Sequence, residues 1–169
     1  MNNWRIFLFL LLILSACTPP QDPIPIARDP GKSAVGYYCG MNLIEHPGPK
    51  GQLYVAGVPD PYWFSSVRDL FVYLQNEGST RRILAIYVHD MGRTDWQQPR
   101  SDSWMVASEA HFVTGSRRDG GMGGSEMVPF GDTAAAETFI KQYGGRLLSY
   151  QEALSSNLFV SESPLSGKR

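Results

Sequence analysis

The pattern of apolar and polar residues predicts a strand, a helix and a second strand in the middle of the chain. Residues 52–57 and 82–89 have the apolar, β-rich composition of strands, and the second is largely buried. Between them, apolar residues recur at helical spacing over residues 67–74 and predict an amphipathic helix. Ser66 is a suitable N-cap for this helix, and Gly78 follows its end.

A second pass of the same pattern follows in the last third of the chain. Residues 104–114 predict a strand that is bent near its middle, and residues 146–150 predict a closing strand. Asp132 is the expected N-cap of a helix over residues 134–143, which the Gly144–Gly145 pair ends.

The two passes align and therefore predict an internal repeat. Phe64 and Ser66 precede Phe130 and Asp132 by 66 residues, whereas the upstream strands align only at a spacing of 58. The second copy thus carries about eight extra residues, which fall in the glycine-rich insert, residues 115–126. We predict two related β–α–β units in one α+β body, with an inserted loop of the kind that often carries function.

The N-terminus has the features of a secretory signal. Arg5 precedes a nine-residue apolar run at residues 6–14, which is too short for an ordinary membrane-spanning helix. The Leu-Ser-Ala-Cys that follows resembles a bacterial lipobox, which implies a signal peptide over residues 1–16 and a lipid on Cys17. A plain signal peptide with a free cysteine is the alternative. Because Thr18 is not aspartate, resemblance to sorted lipoproteins favours the periplasmic face of the outer membrane.

Three further segments follow the signal. Residues 17–32 carry the lipidated cysteine and a proline-rich stretch, which predicts a semi-rigid tether. Residues 33–154 form the predicted folded domain, and residues 155–169 a polar C-terminal tail.

Composition and missing motifs narrow the class of function. The chain has 169 residues and a net charge of −1 at pH 7, so no strong basic field attracts nucleic acid. It has no CxxC pair, HExxH, P-loop, dinucleotide fingerprint or GxSxG elbow. None of these motifs supports a specific class of enzyme, and we expect a binding protein and not an enzyme.

Cysteine usage indicates what is bound. If a lipid occupies Cys17, Cys39 has no partner for an intramolecular disulfide in an oxidising compartment. A thiolate is a soft ligand that suits Cu(I), although a lone cysteine can also be a small buried apolar residue. Met122 lies at the centre of the glycine-rich insert, where a thioether has little core to join and is a second soft donor.

Two more side chains are candidates for the same site. Met41 shares a face with Cys39 if the segment between them is extended, either as a third ligand or as core packing. His46 precedes a turn-rich stretch and is a ligand, a hydrogen-bonding partner of a ligand, or a surface residue. His89 and His111 lie in predicted strands, which favours structural roles.

Several motifs, taken in order, resemble the NosL family of nitrous-oxide reductase accessory lipoproteins, over about residues 37–153. These motifs are Cys39-Gly40-Met41, the segment from His46 through Gly48-Pro49-Lys50-Gly51-Gln52, Gly121-Met122-Gly123, and Pro129-Phe130-Gly131-Asp132 with Ala136, Glu137 and Phe139 before Gly144-Gly145. Many members carry a second cysteine three residues before this one, where Gly36 stands here. Because this second cysteine is missing here, the main candidate ligands are Cys39 and Met122.

The resemblance implies a Cu(I) chaperone that supplies copper for the copper–sulfide cluster of nitrous-oxide reductase in denitrification. The implied partners are a membrane complex of an ABC transporter with a periplasmic β-helical protein, and the reductase itself. The implied fold has two ββαβ-type units, as in organomercurial lyase. The residues alone leave two alternatives: a non-metal adaptor lipoprotein in which Cys39 is merely buried, and a copper electron carrier.

Overall fold

Two antiparallel sheets form the framework of the computed structural model, which describes residues 22–156. The predictions for the signal peptide, for Cys17 and for most of the C-terminal tail concern residues outside this range. The strands are β1 Gly51–Val55, β2 Tyr62–Phe64, β3 Ile83–His89, β4 Trp104–Val106, β5 His111–Thr114, β6 Val128–Phe130 and β7 Arg146–Ser149. The first sheet has the order β2-β1-β3-β4 and the second the order β6-β5-β7.

Three α-helices of the described range accompany the sheets: α1 Val67–Asn76, α2 Thr133–Tyr143 and α3 Tyr150–Ser155. The predicted N-caps are confirmed, because Ser66 accepts from the Asp69 N–H and Asp132 from the Ala134 N–H. The sequence pattern did not predict α3, so the predicted domain end at residue 154 falls within a helix. In residues 22–156, no helix combines the length and apolar character that a bilayer crossing requires.

The order of elements repeats, as the alignment of the two passes predicted. The succession β1-β2-α1-β3 recurs as β5-β6-α2-β7, and in each of these units the first strand lies between the other two and runs antiparallel to both. The α+β class is therefore confirmed; the likeness to organomercurial lyase stays a prediction. Residues 104–114 are not one bent strand: a 3-10 turn at Ala107–Glu109 carries the chain from β4 of one sheet to β5 of the other.

A shared apolar core joins the two units. Phe71 of α1 and Phe112 of β5 are both fully buried, and their rings meet edge to face with centroids 5.0 Å apart. Tyr150 of α3 packs on the same pair. The first helix of one unit thus packs on the central strand of the other, and one buried cluster spans both units. A smaller cluster lies within the second unit and consists of Val113, Val128, Phe130 and Ala136.

Part of the predicted tether lies against the first sheet. The Arg28 N–H donates to the side-chain oxygen of the buried Gln52, whose amide donates back to the Arg28 carbonyl, at 3.1 and 3.0 Å. The hydroxyls of Tyr54 and Tyr87 donate to the carbonyls of Ile26 and Pro25. The packed body therefore begins before residue 33 and includes part of the proline-rich stretch.

Candidate metal site

Cys39 lies in a tight loop that backbone hydrogen bonds close. The Gly36 N–H donates to the Met41 carbonyl at 2.9 Å, and the Gly40 N–H donates to the Gly36 carbonyl at 2.8 Å. Gly40 has φ of +63°, a conformation that glycine adopts without strain. The Tyr37 N–H donates to the carbonyl of Trp63 in β2, and this hydrogen bond holds the loop against the first sheet. The segment is thus a turn, so the extended geometry that would align Met41 with Cys39 is not present.

The Cys39 thiol is free, half-buried and close to a buried hydroxyl. Its Sγ lies 3.3 Å from the Oγ of Ser65, which is the only hydrogen-bonding partner of the thiol among the described residues. Gly36 covers the same two atoms: a Cβ added there would lie 2.5 Å from each of them. A side chain at position 36 therefore requires the loop to shift, and a cysteine there would abut the Cys39 sulfur.

Met122 is half-buried at the tip of the glycine-rich insert. A tight turn forms this tip, in which the Gly123 N–H donates to the Gly120 carbonyl at 2.9 Å. Beside it, the backbone of Gly121 packs so closely on Pro47 that an added Cβ would lie 1.9 Å from the Pro47 carbonyl oxygen. The fold thus brings the insert against the segment that directly follows His46. No hydrogen bond of the described residues links Met122 to Cys39.

The glycine-rich insert is anchored at both ends. At the first end, the guanidinium of Arg118 lies 4.3 Å from the centre of the Trp96 ring and donates to the Tyr143 hydroxyl at 2.7 Å. At the second end, the carboxylate of Glu126 accepts from the Ser66 hydroxyl at 3.0 Å and from the Arg68 N–H at 2.9 Å. Met122 is therefore presented between two fixed points.

His46 lines a separate cavity of about 290 Å³. Lys50 and His89 also line it, whereas the described residues Cys39, Met41 and Met122 do not. The structure therefore places His46 in a cavity whose lining does not include Cys39, next in sequence to Pro47, on which the Met122 loop packs.

His89 has a structural role, as its position in a strand predicted. Its Nδ1 accepts the Lys50 backbone N–H at 3.3 Å, and its ring lies against Trp104 with centroids 3.7 Å apart. Burial, aided by the nearby Lys50 charge, lowers the pKa of His89 to about 3. The His89 imidazole is therefore neutral, and the hydrogen bond that its Nδ1 accepts holds the end of β3 against the Lys50 segment.

Glu126 and Lys50 are two buried ionisable groups near the base of the insert. Burial raises the pKa of Glu126 to about 7, against the hydrogen bonds from Arg68, Met127 and Ser66 that lower it. Burial likewise lowers the pKa of Lys50 to about 8, and attraction to Glu126 opposes that shift. The Lys50 amine donates to the carbonyls of Pro47 and Gly48.

The Glu126 carboxyl should make the domain less stable as pH rises. Below its ordinary pKa of 4.5 the group is protonated in both states; between pH 4.5 and about 7 the unfolded state ionises while the folded state stays protonated. We expect Glu126→Gln, which cannot ionise, to gain about 2 kcal/mol of unfolding free energy relative to the original protein between pH 5 and pH 8. Urea unfolding at each pH measures this difference.

The matched control is Glu137→Gln, which removes an exposed carboxylate from α2. We expect the difference from the original protein to change more with pH for Glu126→Gln than for this control. A Glu126→Gln difference that varies no more than that of the control would contradict the assignment.

Several residues around the site carry no local sequence signal. Ser65 lies 26 residues from Cys39, and Trp96, Arg118 and Tyr143 meet only through tertiary packing. In residues 22–156, no three His, Cys, Asp or Glu side chains are grouped to hold a metal ion.

Comparisons with known proteins agree on one family. The NosL family model matches residues 27–158. The chain is 42% identical over 141 residues to the copper-binding lipoprotein NosL of Achromobacter cycloclastes, covering 82% of this chain and 73% of that protein. It is 35% identical over 119 residues to the protein of the same name from Stutzerimonas stutzeri, covering 69% and 60% respectively. The crystal structure of the copper chaperone NosL from Shewanella denitrificans matches with a TM-score of 0.72 and 36% identity, covering 78% of this chain and 96% of that one. This chain belongs to the NosL family.

Proposed function

We propose that this protein is a periplasmic, lipid-anchored chaperone that binds Cu(I) through Cys39. In this proposal it delivers copper for assembly of the copper–sulfide cluster of nitrous-oxide reductase. The observation that carries the proposal is the free Cys39 thiol, half-buried in a rigid loop at the surface. The names of the relatives, copper-binding lipoprotein and copper chaperone, support it.

The proposed ligands are Cys39 and Met122; Met41 and His46 are candidates either to complete the ligand set or to hydrogen-bond to a ligand. When Cu(I) binds, the S–H bond of Cys39 is replaced by an S–Cu bond and the proton passes to solvent. Cu(I) prefers the soft sulfur donors thiolate and thioether. A site with few ligands leaves room for an incoming ligand from the protein that receives the copper. The turn at Gly120–Gly123, held between its two anchors, would bring Met122 to the metal.

The surface around Cys39 supports transfer to another protein. Five large apolar side chains between residues 35 and 44 are at least 41% exposed: Val35, Tyr37, Tyr38, Met41 and Ile44. Contiguous exposed apolar side chains mark interaction sites. The proposed partners are the complex of an ABC transporter with a periplasmic β-helical protein, and the reductase. A lipid on Cys17 would hold the protein at the outer membrane.

X-ray absorption of the protein loaded with one equivalent of Cu(I) tests this function. We expect two sulfur scatterers, or three where Met41 also binds, and at most one nitrogen scatterer, and copper that is retained against a competing Cu(I) chelator. Loss of all copper to a weak chelator would favour the adaptor alternative. An intense blue colour with Cu(II) would favour the electron carrier.

A further inference from the structure

The buried hydroxyl of Ser65 has one hydrogen-bonding partner among the described residues, the sulfur of Cys39. Ser65 is 2% exposed, and its Oγ lies 3.3 Å from Sγ. At that distance and with a thiol present, either atom can donate the proton. The pairing joins a residue of the Cys39 loop to the start of the first helix.

The position of Ser65 is fixed from both sides. It lies between Phe64, the last residue of β2, and Ser66, the N-cap of α1. The neighbouring Ser66 hydroxyl is already occupied, since it donates to Glu126 and accepts from the Asp69 N–H. Of these two neighbouring serines, Ser65 is therefore the one whose hydroxyl is available to the Cys39 thiol.

Gly36 closes the other side of the pair. The absence of a side chain there lets the backbone approach both Sγ and Oγ, and a Cβ would lie 2.5 Å from each. Gly36 and Ser65 thus cover part of the sulfur, and Cys39 as a residue is half-buried. A metal must approach from a direction that these two residues do not cover.

Metal binding decides which atom donates the hydrogen bond between Cys39 and Ser65. A metal-bound thiolate carries no proton, so it can only accept, and the Ser65 hydroxyl must donate. Hydrogen bonds to charged acceptors are stronger than neutral ones, and such partners of a metal ligand orient it and raise metal affinity.

We propose that Ser65 is a positioning residue that donates its hydroxyl proton to the copper-bound sulfur of Cys39. This inference rests on the proposed function, because Cys39 must hold the metal. The hydrogen bond occupies one lone pair of the sulfur, leaves the others for the metal, and stabilises the negative charge on the thiolate.

The test compares Cu(I) affinities, measured by chelator competition on the whole protein, for three variants. Ser65→Ala removes the donor and should weaken binding about 10- to 100-fold. Ser65→Thr keeps a hydroxyl and should restore affinity to within about threefold of the original. Ser103→Ala is the matched control, because Ser103 is equally buried (1% exposed) but donates to the Arg100 carbonyl; its affinity should not change.

Each outcome has one meaning. Unchanged affinity in Ser65→Ala, with binding lost in Cys39→Ser, overturns the role of Ser65 and leaves the proposed function intact. Unchanged affinity in Cys39→Ser overturns the proposed function itself. Equal losses in Ser65→Ala and Ser103→Ala show a general packing effect and overturn the inference. If Ser65→Thr does not fold, the comparison of Ser65→Ala with Ser103→Ala decides, with the melting temperature of each metal-free variant measured alongside.

Discussion

Replacing Cys39 with serine is expected to weaken Cu(I) binding by at least about a thousandfold, or roughly 4 kcal/mol. The substitution exchanges a soft thiolate for a hard hydroxyl that keeps its proton at neutral pH. It should leave the fold intact, since a serine Oγ occupies similar space and can still pair with the Ser65 hydroxyl. Competition with a Cu(I) chelator measures the affinity, and circular dichroism checks the fold.

Two methionine variants compare the contributions of Met122 and Met41 to Cu(I) affinity with that of Cys39. Met122→Leu should weaken binding by a smaller factor, about tenfold, because it removes a neutral donor and keeps the apolar volume. Met41→Leu should leave affinity nearly unchanged if Met41, 41% exposed in the turn, is not a ligand. A loss in Met41→Leu as large as that in Met122→Leu would make Met41 the third ligand. Full affinity in Cys39→Ser would end the assignment of this site.

The second large effect concerns stability: Phe71→Ala should lower the unfolding free energy by about 3–5 kcal/mol. Phe71 is fully buried and packs edge to face on Phe112, so truncation removes both transfer free energy and an aromatic contact and leaves a cavity. Against a usual total of about 5–15 kcal/mol, this loss is a large fraction. Urea unfolding measures it.

Phe71→Leu is the matched control, because it retains most of the apolar volume and should cost about 1–2 kcal/mol. Because Phe71 belongs to the first unit and Phe112 to the second, both variants should unfold in one cooperative transition. Two separate transitions, with only one shifted by Phe71→Ala, would contradict a core shared by the units.

The packing of the insert shows how a glycine-rich segment can hold Met122, the proposed ligand, in place. Its close contact with Pro47 is possible because Gly121 has no side chain, and its ends are held by Arg118 and Glu126. Fixed ends limit the positions that Met122 can reach, which would reduce the entropy cost of the proposed metal binding. Glycine in this loop therefore permits close approach as well as flexibility.

The sequence determined the elements whose signals are local. Helical spacing and N-caps located α1 and α2, because capping depends on residues within one turn. Periodicity could not locate β2 and β6, since strands of three residues contain too few positions to show alternation. The Ser149–Glu152 capping box of α3 was a readable signal that the strand pattern masked.

The sequence also determined the candidate chemistry, because an unpaired cysteine and a methionine among glycines are unusual wherever the chain places them. Only the tertiary structure decided what surrounds them: Ser65 and Gly36 at the thiol, Pro47 against the insert, and His46 in a separate cavity. These contacts join residues far apart in sequence, and they depend on how two sheets and three helices pack. Hydrophobic periodicity shows which side of each element is buried, but it does not show which residue lies opposite.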